Sequence, residues 1–176
     1  FVIYFKRSLA FGGGMRVKRS ARVVDLTYQL LTRPQEVIPL SHIAQKYGAA
    51  KSSISEDLSI IKEVLESGGR GELETLVGAT GGVRFVPLMG LEEQRELIQR
   101  LCEQTEQPER ILPGGYLYLS DLIGDPNWLF PLGRIIASAF AHQEIDCIMT
   151  VETKGIPLAY ATSYYLRLPV IIVRRN

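Results

Sequence analysis

The chain has few of the residues that usually build a reactive centre. Among 176 residues there are two cysteines, two histidines and one tryptophan, and the net charge is only +1. Cys102 and Cys147 lie far apart with no ligand-type spacing; Cys147 falls in an apolar run and is expected as a small core residue. So sparse a thiol content fits a reducing, cytoplasmic setting. His42 and His142 sit in opposite halves, and no Ser-His-Asp or metal-ligand grouping can be argued from their spacing. The expectation is therefore no catalytic residue, no metal and no cofactor. No apolar stretch approaches the length of a membrane span. Residues 1–5 are apolar, but too short and wrongly flanked for a signal peptide.

What is present is a core and an uneven charge distribution. Hydrophobic residues make up 46% of the chain, enough to exclude wholesale disorder. Lys6, Arg7, Arg16, Lys18, Arg19 and Arg22 precede the first acid, Asp25. A basic arm of this kind can bind phosphates although the total charge is near neutral; a solvated terminus would look the same. Met15 follows three glycines and opens the basic run, so residues 1–14 are expected to be an extension foreign to the native protein.

Periodicity divides the remainder. Val23, Val24, Leu26, Leu30 and Leu31 predict a helix over 21–31, ended by Arg33-Pro34. Ser41 is the expected N-cap of a second helix that runs to Tyr47 and is closed by Gly48. Ser52 or Ser53 is expected to cap a third, with Glu56 completing a capping box. Ile54, Leu58, Ile61, Val64 and Leu65 form its apolar stripe, and Gly68-Gly69 ends it. Two short strands over 72–77 and 83–87, joined by a glycine-containing turn, make a hairpin. Three helices followed by a hairpin is the order of a winged helix-turn-helix, assigned here to residues 15–88. Residues 91–103 read as a polar amphipathic helix, within a linker or dimer element over 89–107, and 104–115 as loop.

The second half, 108–176, reads as α/β. Residues 116–123 are apolar and lead into a Gly-Asp-Pro turn, and a helix follows over 129–141. Apolar runs at 145–151 and 170–173 are expected as buried strands flanking a helix over 156–166, a parallel βαβ unit. The chain ends at Asn176 directly after the last strand, so this half is expected to be incomplete.

Two places can carry recognition. The second helix of a helix-turn-helix presents short polar residues at its N-terminal end; Lys51, Ser52, Ser53, Ser55 and Glu56 occupy that end. Arg84 on the hairpin, with Arg70 before it, favours DNA over a bland helical hairpin. After Val151, the loop Glu152-Thr153-Lys154-Gly155 lies where an open α/β sheet binds ligands. The helix behind it offers free N–H groups to an anion. The glycine there could instead serve geometry alone. Glu152 is read as an orienting hydrogen-bond acceptor rather than a general base.

The segments Val23-Val24-Asp25-Leu26-Thr27, Lys51-Ser52-Ser53-Ile54-Ser55-Glu56-Asp57-Leu58, Pro108-Glu109-Arg110-Ile111-Leu112-Pro113-Gly114-Gly115-Tyr116 and Thr150-Val151-Glu152-Thr153-Lys154-Gly155-Ile156-Pro157-Leu158-Ala159 occur in order. In this the chain resembles the purine operon repressors of Gram-positive bacteria, from about Met15 to Asn176. The resemblance implies an N-terminal winged helix and a type I phosphoribosyltransferase-like domain. It also implies a homodimer that binds operator DNA to repress purine synthesis genes, with phosphoribosyl pyrophosphate as effector of the full-length protein. Arg16, Lys18, Arg19, Arg22, Lys51, Ser52, Ser53, Ser55 and Arg84 are the expected DNA-binding residues. Glu152, Thr153, Lys154 and Gly155 would match the pyrophosphate loop, and Arg174 and Arg175 the end of the strand leading into a flexible loop. The family's two-acid, glycine-rich phosphoribosyl pyrophosphate motif is not in this sequence. Two other readings stay open. A purine phosphoribosyltransferase with an accessory domain would turn over hypoxanthine or xanthine. A helical dimerisation module that binds protein would not shift purine-operon DNA.

Overall fold

A computed structural model describes residues 17–78 and 81–175. Arg16 and the expected extension over 1–14 lie outside the described residues.

Helix α1 (Arg19–Thr32) turns Leu26 and Leu30 inward and leaves Val24 and Tyr28 exposed. A two-residue strand, β1 (Ile38–Pro39), leads into α2 (Leu40–Tyr47). Gly48 ends α2 at φ +57°, a left-handed conformation that costs glycine little, and its N–H returns to the carbonyls of Ala44 and Gln45. Residues 48–50 form the turn into α3 (Lys51–Ser67). Strands β2 (Glu72–Leu76) and β3 (Gly82–Val86) pair antiparallel, and β1 adds to β3, giving the order β1-β3-β2. One core unites these elements: Leu26 and Leu30 from α1, Ile43 from α2, Ile54, Leu58, Ile61 and Leu65 from α3, and Leu73, Val83 and Phe85 from the sheet. Each such side chain stabilises the fold by about 1.5–3 kcal/mol through burial.

Helix α4 (Leu91–Thr105) buries Leu97. A 3-10 turn (Pro108–Arg110) and a small hairpin, β4 (Ile111–Leu112) with β5 (Tyr116–Leu117), follow. Then come α5 (Ser120–Gly124) and α6 (Pro126–Phe140), the latter capped by the Asp125 carboxylate, which accepts from the Asn127 backbone N–H at 2.8 Å. Strands β6 (Ile148–Val151) and β7 (Val170–Val173) pair parallel, joined by α7 (Gly155–Leu166). Helices α6 and α7 pack at Gly133, where a Cβ would come within 2.7 Å of the Ala161 Cβ.

Several expectations are corrected. Ser41 lies inside α2, after a Pro39 N-cap that makes no side-chain bond. Neither Ser52 nor Ser53 caps α3, which begins at Lys51 behind Ala50; the extended Ala50 already accepts the first ladder bond, from the Ile54 N–H at 3.1 Å. The Ser53–Glu56 capping box is therefore not formed. Val64 is 53% exposed rather than part of the buried stripe, whose place is taken by Asp57. Strand β1 lacks a sequence signal because two residues, one a proline, carry no alternation. The 104–115 loop contains the end of α4 and strand β4, and 116–123 is a short strand plus a helical turn. Strands β6 and β7 are not buried on both faces. Ile148, Thr150, Val170 and Ile172 are half-buried, while Met149, Val151, Ile171 and Val173 are exposed. Helix α7 covers one face of this pair, and apolar residues on both faces had suggested cover on both.

Candidate nucleic-acid interface and anion loop

Lys51, Ser52, Ser55 and Glu56 stand exposed on the first turns of α3, and Ser53 is half-buried. No acid occupies the first turn, so the positive end of the helix dipole is uncompensated there. The Ser55 hydroxyl donates to the Lys51 carbonyl at 3.0 Å, a bond that tucks it along the helix. The start of α1 lies alongside. Lys18, Arg19, Arg22, Gly48, Ala50 and Ser53 line one groove of about 470 Å³. Of the residues read as a basic arm, Lys18 is the N-cap of α1 and Arg19 and Arg22 lie in its first turn, set against the start of α3.

They are not equally free. Asp57 of α3 is wholly buried and receives Arg19 Nε at 3.0 Å and Arg22 Nε. Arg19 also reaches Glu56 at 3.3 Å. The hydrogen bond to Asp57 raises the Arg22 pKa against the opposing effect of burial. Arg22 is only 11% exposed and is a structural ligand of Asp57 before it is anything else. Lys18 and Lys51 are exposed cations. Arg84 donates from Nε to Glu74 Oε2 at 2.6 Å, so its charge is largely answered within the hairpin.

Below α1 lies a network the sequence pattern did not reveal. Burial pushes the Asp25 carboxyl up. Hydrogen bonds from Lys46 (2.9 Å) and Tyr47 (2.6 Å), the Lys46 charge and a bond from Gln29 outweigh it and hold the pKa below the usual carboxylate range. Burial, reinforced by Asp25, raises the Tyr47 hydroxyl. This ties the middle of α1 to the C-terminal end of α2 and so orients the turn that presents α3.

The second candidate site is at the carboxyl edge of the β6–β7 pair. Glu152, Thr153 and Lys154 are exposed between β6 and α7, with a cis peptide between Glu152 and Thr153. The Ile156 N–H is turned back to the Thr153 carbonyl at 3.3 Å. Gly155 sits against the Thr150 side chain, where any Cβ would collide; this spacing role is the geometric alternative raised by the sequence. Because the strands run parallel with Val151 opposite Val173, Arg174 and Arg175 leave the sheet at the same edge as Lys154. Three cations, a helix N-terminus and a glycine therefore share one edge, a composition suited to an anion.

The two halves meet along α6. Arg134 donates to the carbonyls of Leu88 and Arg70 and to Glu93, and the Ser138 hydroxyl accepts from the Met89 N–H at 2.9 Å. His142, just beyond the helix, faces Glu72 and Glu74 of β2. Nothing in the spacing of these residues announced that contact, because its partners lie on elements far apart in sequence.

The first half is thus a three-helix domain with a helix-turn-helix and a small antiparallel sheet. Residues 18–87 match the family described as "Bacterial purine repressor, N-terminal". The chain is 54% identical over 162 residues to the purine biosynthesis transcriptional repressor PurR of Bacillus subtilis, covering 92% of this chain and 57% of that protein. It is 44% identical over 160 residues to the purine biosynthesis transcriptional activator PurR of Lactococcus lactis, covering 91% of this chain and 59% of that one. A xanthine phosphoribosyltransferase of Ligilactobacillus salivarius is 32% identical over 79 residues, 43% of this chain and 41% of the enzyme. The chain spans somewhat more than half the length of the regulators it matches. No helix among the described residues is long and apolar enough to cross a membrane.

Proposed function

We propose that this chain is a purine-biosynthesis transcription regulator whose winged helix, residues 15–88, binds double-stranded operator DNA through the start of α3. The observation that carries this reading is the groove that sets Lys18 and Arg19 beside the turn before Lys51. A duplex approaching α3 meets two exposed lysines, three serines small enough for close approach and the uncompensated helix N-terminus. Arg22 and Arg84 act through Asp57 and Glu74, holding the surface in shape; Lys18, Arg19, Lys51, Ser52, Ser53 and Ser55 meet the DNA. Arg16 belongs to the same proposal but lies outside the described residues. The regulator of highest identity quoted above is named a repressor and another an activator; repression is the direction adopted here.

Residues 108–176 are, on this proposal, part of a phosphoribosyltransferase-like parallel α/β domain, preceded by a linker or dimer element over 89–107. Glu152, Thr153, Lys154 and Gly155, with Arg174 and Arg175, would contribute to binding phosphoribosyl pyrophosphate in the full-length homodimer. The cation-lined sheet edge and the partial likeness to a xanthine phosphoribosyltransferase support this.

That same likeness is what favours the alternative, a purine phosphoribosyltransferase with an accessory domain. The proteins matched over nine-tenths of the chain are named as transcription regulators and not as enzymes. Fluorescence anisotropy with a duplex from the control region of a purine biosynthesis gene, against a scrambled duplex of equal length, separates the two. Preference for the purine duplex without turnover of xanthine or hypoxanthine supports the regulator. Turnover with no preference supports the enzyme.

A further inference from the structure

One oxygen or nitrogen from each of Glu72, Glu74 and His142 lies within 4.8 Å of the others. Glu72 and Glu74 are two apart on β2, so the pleat puts both carboxylates on the same face. His142 comes from the far half of the chain, just past α6. Its Nε2 is 3.6 Å from Glu72 Oε2 and its Nδ1 is 3.4 Å from Glu74 Oε1.

Two further observations make this more than a chance meeting of exposed side chains. Arg134, Ser138 and His142 are spaced by four, which places them along one side of α6 and its extension. The first two are bonded to backbone groups around Leu88 and Met89, so the position of His142 over β2 is set by contacts other than its own. In addition, Arg84 takes Glu74 Oε2 at 2.6 Å and leaves Oε1 turned toward the imidazole. A hydrogen bond to one carboxylate oxygen that aims the other is how outer partners orient metal ligands.

We infer that Glu72, Glu74 and His142 form a binding site for a zinc-class divalent ion that ties strand β2 to the end of α6. One imidazole nitrogen and two carboxylate oxygens are a donor set that zinc accepts, with water completing the coordination. Magnesium prefers oxygen donors in near-octahedral coordination, so a set that includes an imidazole fits it less well than zinc. The carboxylates outnumber the Arg84 guanidinium, so the local field attracts a dication. The side chains are partly exposed, which leaves them free to close the remaining gap to bonding distance. The inference is tested apart from the DNA reading: Glu74 is shared with Arg84, but the readouts are zinc uptake and melting temperature, not DNA affinity.

Calorimetric titration of the full 176-residue chain with zinc chloride alone tests it, beside His142→Ala and Glu72→Gln. Wild type should take up one equivalent at this site. Loss of a direct ligand should weaken that event by at least the roughly 10–100-fold that loss of an outer-shell partner costs. Zinc should raise the melting temperature of wild type and not that of His142→Ala, while the two melt alike without metal. Absence of zinc uptake by wild type would overturn the inference. So would uptake by His142→Ala at wild-type affinity, or magnesium binding that matches zinc and ignores the His142 substitution.

Discussion

The guanidinium of Arg22 on α1 donates to the carboxylate of Asp57, a side chain of α3 with no exposed surface at all. Arg19 donates to the other oxygen at 3.0 Å. The two arginines thereby join the first turn of α1 to the helix proposed to read DNA. Asp57→Ala removes the acceptor and leaves Arg22 in a nearly closed setting. The expected loss is about 3 kcal/mol, the lower end for breaking a buried pair, because Arg22 borders the groove and can rehydrate in part. Urea denaturation measures it, and a loss under about 1 kcal/mol would contradict the pairing.

Leu58 and Val64 make a paired test of the α3 register. Leu58 is 7% exposed and Val64 53%. Leu58→Ala should cost on the order of 2–5 kcal/mol, whereas Val64→Ala should stay within about 0.5 kcal/mol, as surface changes do. Similar losses at both positions, read from urea midpoints, would mean that the helix is turned differently.

Asp25 sets a pH dependence. Its folded pKa is lowered, so the unfolded chain binds the proton more readily and stability rises with pH through the window. The contribution is present in full above the ordinary carboxylate value, about pH 4, and is lost as pH falls through the lowered folded value. Asp25→Asn should therefore shrink the stability difference between pH 6 and pH 3. An unchanged difference in urea midpoint would show that Lys46 and Tyr47 do not stabilise the carboxylate.

The limits of the helices are legible in the residues that end them. Pro34, Gly48 and Gly68 close α1, α2 and α3 as read, because proline and glycine act locally on the backbone. Caps are not legible in the same way. Ser41, Ser52 and Ser53 have the chemistry of an N-cap, yet the backbone at Pro39 and Ala50 is already extended and starts each helix earlier. Asp57 falls outside the apolar stripe read from the sequence. Only the approach of α1, a tertiary event, turns it inward. The loop at 152–155 and the start of α3 are visible as motifs because their residues are consecutive. The Glu72, Glu74 and His142 cluster is invisible in the chain, because docking of α6 on the hairpin assembles it.

The central claim is that the N-terminal end of α3 carries the contact with DNA. The most direct measurement is the salt dependence of binding to a purine-gene control duplex for wild type and Lys51→Ala, from about 50 to 200 mM salt. Lys51 is exposed, and on the reading proposed above it contacts phosphate, so its loss should weaken binding on all sequences alike and reduce the slope of log affinity against log salt by roughly one unit. The fold should be untouched, with an unchanged melting temperature. An affinity and slope equal to wild type, in a protein that melts as wild type does, would contradict the account and move the DNA surface away from α3.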